Sequence, residues 1–157
     1  MLWPAWGLAS GATLVLNGAP VPALDPRYLD HFQHPRHATR LEAPDVEVSA
    51  ENPVCGDELT LGIRLADGRI CDLGFAVRGC SGSIAGASAL CELALGQTPE
   101  SAAEIKREAV EAALGGLPQL KRHGADLAVD ALQRALAALA AAPPPQPQAS
   151  VACEETL

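Results

Sequence analysis

Three short stretches concentrate residue types that hold soft metals or carry sulfur: NPVCGDEL (52–59), RGCSGSIAGAS (78–88) and KRHGAD (121–126). In the second, Cys80 follows a glycine and precedes a run of Ser, Gly and Ala, so its sulfur has room. The hydropathy pattern changes from strand to helix at this point. A thiolate there would face the unpaired N–H groups and the positive end of a helix, which lowers a thiol pKa. In the first stretch, Gly56 lets the backbone turn tightly, and Asp57 places a carboxylate two residues from the Cys55 thiol. Two thiolates and a carboxylate suit a soft divalent metal or an iron–sulfur cluster. In the third, Lys121, Arg122 and His123 precede a helix, where cations oppose the macrodipole; a nearby anionic site would offset that. His123 could ligate a metal as neutral imidazole. Each stretch also has a plain structural reading: a buried turn cysteine at 80, a turn with a structural aspartate at 57, a solvated loop with an incidental histidine at 123.

The elements that must position these residues are written in the periodicities. Leu59, Leu61, Ile63 and Leu65 alternate with polar residues or glycine up to Asp67-Gly68, and the alternation resumes at Cys71, Leu73, Phe75 and Val77. Period two on both sides of a D-G dipeptide predicts a β-hairpin over 57–78 with one buried face. The start of the first strand and the end of the second are neighbours in such a hairpin, so Cys55 and Asp57 should lie near Cys80. A short third strand is expected near VEVS (46–49). Helices are expected at 26–35, with Pro26 at its first position, at 81–95, at 99–114 with Thr98 as N-cap, and at 125–142. Strands first and helices afterwards predict an α+β domain, a small antiparallel sheet covered by helices on one face. The domain should run from 26 to 141, between an apolar N-terminal arm (1–25, with Trp3 and Trp6) and a Pro/Gln-rich flexible tail (142–157).

Composition narrows the function. The 157-residue chain has a formal charge of -8, which argues against nucleic-acid or anionic-membrane partners. No apolar run is long enough to span a bilayer. The first 26 residues carry no Lys or Arg, so they lack the basic region of a secretory signal. Five cysteines at wide spacings, with no C-x-x-C, argue against a disulfide framework and for a reduced, cytoplasmic setting. Cys71 is in phase with the buried face and reads as core. Cys91 lies eleven residues past Cys80, about 16 Å along one helix, so it reads as packing. Cys153 sits on the tail. His31, His34 and His37 read as surface side chains.

With the segments in place, the chain resembles the IscU/SufU/NifU N-terminal family of iron–sulfur cluster assembly scaffolds. Four blocks carry the resemblance, in the family's order: YLDHFQHPRH (28–37), NPVCGDELTL (52–61), VRGCSGSIAGASAL (77–90) and LPQLKRHGADLAVDAL (117–132). The resemblance implies a non-enzymatic scaffold or carrier that binds a transient [2Fe–2S] cluster, iron or zinc. It implies a cysteine desulfurase as sulfur donor and apo iron–sulfur proteins as recipients. By position, Cys55, Asp57 and Cys80 match family ligands, and His123 matches the histidine before the family's third cysteine. That third cysteine is replaced here by Gly124. Gln119 departs from the family's LPPVK chaperone sequence, which weakens the expectation of chaperone docking. Gly82, in GCSGS, follows neither the GCGSA nor the GCSIS form. Two further readings stand beside the scaffold: a zinc-bound sulfurtransferase partner of a desulfurase, and a diverged paralogue that docks on the assembly machinery without a cofactor.

Overall fold

The structure, a computed structural model, describes residues 23–142 together with the two-residue strands β1 (Val15–Leu16) and β2 (Ala19–Pro20), which pair antiparallel. The remainder of the arm, with Trp3 and Trp6, and the tail from Pro143 lie outside the described residues. Helix α1 (Pro26–Gln33) opens with Asp25 as N-cap, its carboxylate accepting from Arg27 N–H, and with proline at the first turn, where no N–H is missed. Strands β3 (Val46–Asn52), β4 (Asp57–Ala66) and β5 (Arg69–Arg78) form an antiparallel meander in that order. The predicted hairpin is present, with Asp67 and Gly68 both at positive φ, as a two-residue turn of this hand requires. Helices α2 (Ser81–Ala94), α3 (Pro99–Ala103), α4 (Arg107–Ala113) and α5 (Arg122–Ala141) follow, with a 3-10 turn at Gln119–Lys121 before α5. The α+β architecture expected from the sequence is the one observed.

The core lies between the sheet and the helices. Leu59, Leu61, Ile63, Leu73 and Phe75 meet Leu90, Ala128, Ala131 and Leu132, all at most 2% exposed. Helices α2 and α5 cross on small residues. A Cβ at Gly86 would lie 2.8 Å from Gly124 O, and one at Gly124 would lie 2.2 Å from Gly82 C and O. Backbone therefore touches backbone at the start of both helices. On the outer face, the segment after α1 runs over a second glycine pair: Gly62 and Gly74 are register partners, and Thr39, Leu41 and Pro44 pack on them. That segment also meets the edge of β5, where Phe75 N–H donates to His37 O.

Four sequence-based expectations fail. The register slips between Arg64 and Leu65, so Ile70 faces Leu65 and Asp72 faces Arg64, leaving Cys71 in the bulge. Ile70 takes the inward place, and Cys71 is half-buried rather than core. Cys71 is also disulfide-bonded, against the expectation of reduced cysteines; Cys55, Cys80 and Cys91 carry free thiols. The single helix expected over 99–114 is two helices. A continuous helix would put Lys106 on the stripe shared by buried Ala102 and Val110; the break leaves Lys106 exposed. His31 is buried between α1 and α2, its Nδ1 2.8 Å from Ser88 Oγ and its Nε2 3.4 Å from Glu92. Arg36 N–H also donates to Ser88, and the Arg36 guanidinium pairs with Asp30 and Glu92. Asp30, His31 and Arg36 of the first sequence block thus dock α1 on α2, and their role is structural.

Candidate metal centre at the end of the hairpin

The site forms where β4 begins and β5 ends. Residues 53–56 make a turn closed from Asn52: Gly56 N–H donates to its carbonyl at 2.8 Å and Val54 N–H to its side-chain oxygen at 2.9 Å. Gly56 has φ +70, which a side chain would disfavour. The turn leaves Cys55 exposed and drops Asp57 inward, 5% exposed, onto the end of β5. Gly79 permits this approach, since a Cβ there would lie 2.6 Å from the Asp57 carboxyl carbon. Cys80 is the N-cap of α2 and is half-buried, but its side chain makes no capping bond. Asp57 does the capping from outside the helix. Its Oδ2 accepts from Cys80 N–H at 3.2 Å and from the Ser83 hydroxyl at 2.5 Å, so a buried anion sits at the positive end of α2.

The two thiols converge on this carboxylate. Burial pushes the Asp57 carboxyl up. Hydrogen bonds from the Ser83 hydroxyl, the Cys80 N–H and the Cys80 and Cys55 thiols outweigh it and hold the group below its ordinary 3.8. Cys55 and Cys80 are therefore both in reach of one carboxylate, as the hairpin predicted. Cys91 is elsewhere and fully buried; desolvation, reinforced by Glu92 and Asp72, pushes its thiol up, which suits packing rather than ligation. His123 is exposed in the first turn of α5. Among the described residues, no three His, Cys, Asp or Glu side chains form a ready metal cage. The four sequence-predicted residues thus divide: Cys55, Asp57 and Cys80 lie at one sheet end, Asp57 engaged as the cap of α2, and His123 is exposed at the start of α5. Cys153 lies outside the described residues.

Sequence reasoning missed Ser83, which donates to Asp57 and lies 3.7 Å from the Cys80 sulfur. The available signal was its place three residues after the N-cap, where a hydroxyl can meet capping groups. It also missed why Gly124 follows His123. The space a side chain would need at 124 is filled by the backbone of Gly82 and Ser83.

The NifU-like N terminal domain family matches residues 25–143. The chain belongs to this family. Two proteins of Archaeoglobus fulgidus, iron-sulfur cluster assembly scaffold proteins IscU 1 and IscU 2, are each 46% identical over 110 residues, covering 70% of this chain and 72% of theirs. The scaffold protein IscU of Azotobacter vinelandii is 35% identical over 118 residues, covering 73% of this chain and 91% of its own. A crystal structure of the N-terminal part of a nitrogen-fixing NifU-like protein from Brucella abortus superposes with a TM-score of 0.63 at 18% identity, over 76% of this chain and 95% of that one. That likeness concerns the fold. Cys55, Asp57, Cys80 and Gly124 all lie inside the matched region.

Proposed function

We propose that the protein is an iron–sulfur cluster assembly scaffold or carrier, with the cluster or its iron as cargo rather than resident cofactor. Cys55 and Cys80 are its thiolate ligands. One observation carries the reading. Of the three free thiols among the described residues, two lie beside the same carboxylate at an accessible sheet end, while the third is sealed in the core. Asp57 fixes the start of α2 by accepting from the Cys80 N–H and the Ser83 hydroxyl, which holds Cys80 at the sheet end beside Cys55; the thiols would bind iron as thiolates, releasing their protons. A ligand set poor in thiolate suits cargo that must leave again. The sulfur would come from a cysteine desulfurase and the cluster would go to apo iron–sulfur proteins, as the family resemblance implies. Chemistry on a substrate is not required of the protein, in line with a non-enzyme.

Anaerobic reconstitution with iron and sulfide tests this. The expected product is coloured, with charge-transfer absorption, and is lost in Cys80→Ser but kept in Cys91→Ser. A colourless protein holding one zinc per chain would replace this reading with the zinc-bound sulfurtransferase partner, for which Cys55, Asp57, Cys80 and His123 would be the ligand set. Binding of neither metal would leave a docking paralogue. Equal loss in the Cys80 and Cys91 variants would refute the sorting of the thiols.

A further inference from the structure

The turn that carries Cys80 is held from outside. Cys80 makes no capping bond with its own side chain, and Gly82 adds backbone freedom to the first turn of α2. Asp57 secures one side of the turn from β4, through the Cys80 N–H and the Ser83 hydroxyl. Helix α1 meets the other side, where the Tyr28 hydroxyl donates to Ser81 Oγ at 2.7 Å. Tyr28 is buried, and Ser81 is the first residue of α2, next to Cys80. We infer that Tyr28 is a positioning residue for Cys80, its hydroxyl fixing the first turn of α2 from the α1 side so that the thiol stays beside Cys55. The inference rests on the scaffold reading for what Cys80 ligates, and it adds a residue outside the ligand set.

This bond is not what docks α1. Ser81, Ser88 and Glu92 follow one another at seven and four residues, a single stripe of α2. Farther along that stripe His31 meets Ser88 and Glu92, and Arg36 meets the same two residues. Those contacts remain when the Tyr28 hydroxyl is removed. The packing of α1 needs only the ring, which phenylalanine also supplies. Ser81 is half-buried, so water can replace the lost donor there. The fold then loses little, but water is not a fixed anchor, and the turn carrying Cys80 loses its constraint on that side. Groups that orient a metal ligand without touching the metal are worth about 10–100-fold in affinity.

Tyr28→Phe and Ser81→Ala in the full chain test this, first without metal. The N–H groups of Ser83 and Ile84 donate to Cys80 O. Their hydrogen exchange should quicken roughly fivefold in either variant, the worth of one hydrogen bond, while residues 88–94 keep the parent rate. After anaerobic reconstitution with iron and sulfide, a chelator should bleach the cluster about tenfold faster in either variant. The double variant should match the singles, since all three remove the same bond. Unchanged exchange at 83 and 84, or unchanged bleaching, overturns the inference and leaves the scaffold reading standing. So does exchange quickened equally at 88–94, which would make the hydroxyl a support of the whole fold, and so do additive effects in the double variant. If the unaltered chain holds no cluster, the scaffold reading fails, and exchange in the metal-free protein decides whether Tyr28 fixes the turn.

Discussion

Replacing Gly124 by alanine tests the claim that the α2–α5 crossing leaves no room for a side chain at 124. The added Cβ would lie 2.2 Å from Gly82 C and O and 2.4 Å from Ser83 N. Ordinary carbon contacts are about 3.5–4.0 Å, so the first turns of α2 and α5 must part by roughly 1.5 Å. The obstructing atoms are backbone, so no side chain can rotate aside. Overpacking of this kind costs about 1–3 kcal/mol and occasionally more, and the rigid contact puts Gly124→Ala at the upper end. Alanine recovers up to about 1 kcal/mol of helix propensity over glycine. The net expectation is a loss of about 2 kcal/mol, or roughly 8 °C in Tm at about 4 °C per kcal/mol for a domain of this size. Urea denaturation followed by far-UV circular dichroism would measure it, with exposed Asp126→Ala as control. Gly124→Cys should lose at least as much and gain no working third ligand. If Gly124→Ala proves as stable as the unaltered chain, the contact is not closed and the account of the missing cysteine fails.

Asp57→Ala should cost about 2–6 kcal/mol at neutral pH, because the Cys80 N–H and the Ser83 hydroxyl lose their acceptor at about 1–3 kcal/mol each. The Asp57 carboxyl is held below its ordinary 3.8 in the fold. Its ionic stabilisation is therefore full above that value and fades as pH falls through the lower folded value, so the gap between variant and parent should narrow only below about pH 4. Burial lowers the His31 pKa from 6.5, with Glu92 opposing and Arg36 assisting. Its folded form resists protonation, so stability should be complete above 6.5 and decline as pH drops below it; His31→Gln should flatten that part of the curve. Alkylation of the native protein should label Cys55 first and Cys80 more slowly, leaving Cys91 until unfolding. Mass spectrometry of timed digests reads the order, and early labelling of Cys91 would contradict its burial.

What could be read from the sequence was whatever a local pattern determines. Alternation about Asp67-Gly68 located the hairpin, and the hairpin alone required Cys55 and Asp57 to meet Cys80, because antiparallel pairing brings those ends together. The parts that escaped depend on contacts between segments distant in the chain. Nothing local marks Cys71 as the bulged residue. Its neighbours alternate correctly, and only the pairing of Ile70 with Leu65 shifts it outward. His31 sits in a polar helix, and its burial comes from Ser88 and Glu92 on α2, more than fifty residues away. Gly124 is the most instructive case. Beside the family pattern it reads as a ligand lost. Beside Gly82 it reads as half of a contact in which neither residue can carry a side chain at the present helix spacing. Gly82 and Gly124 thus form one close contact, and placing a cysteine at 124 alone would strain the crossing.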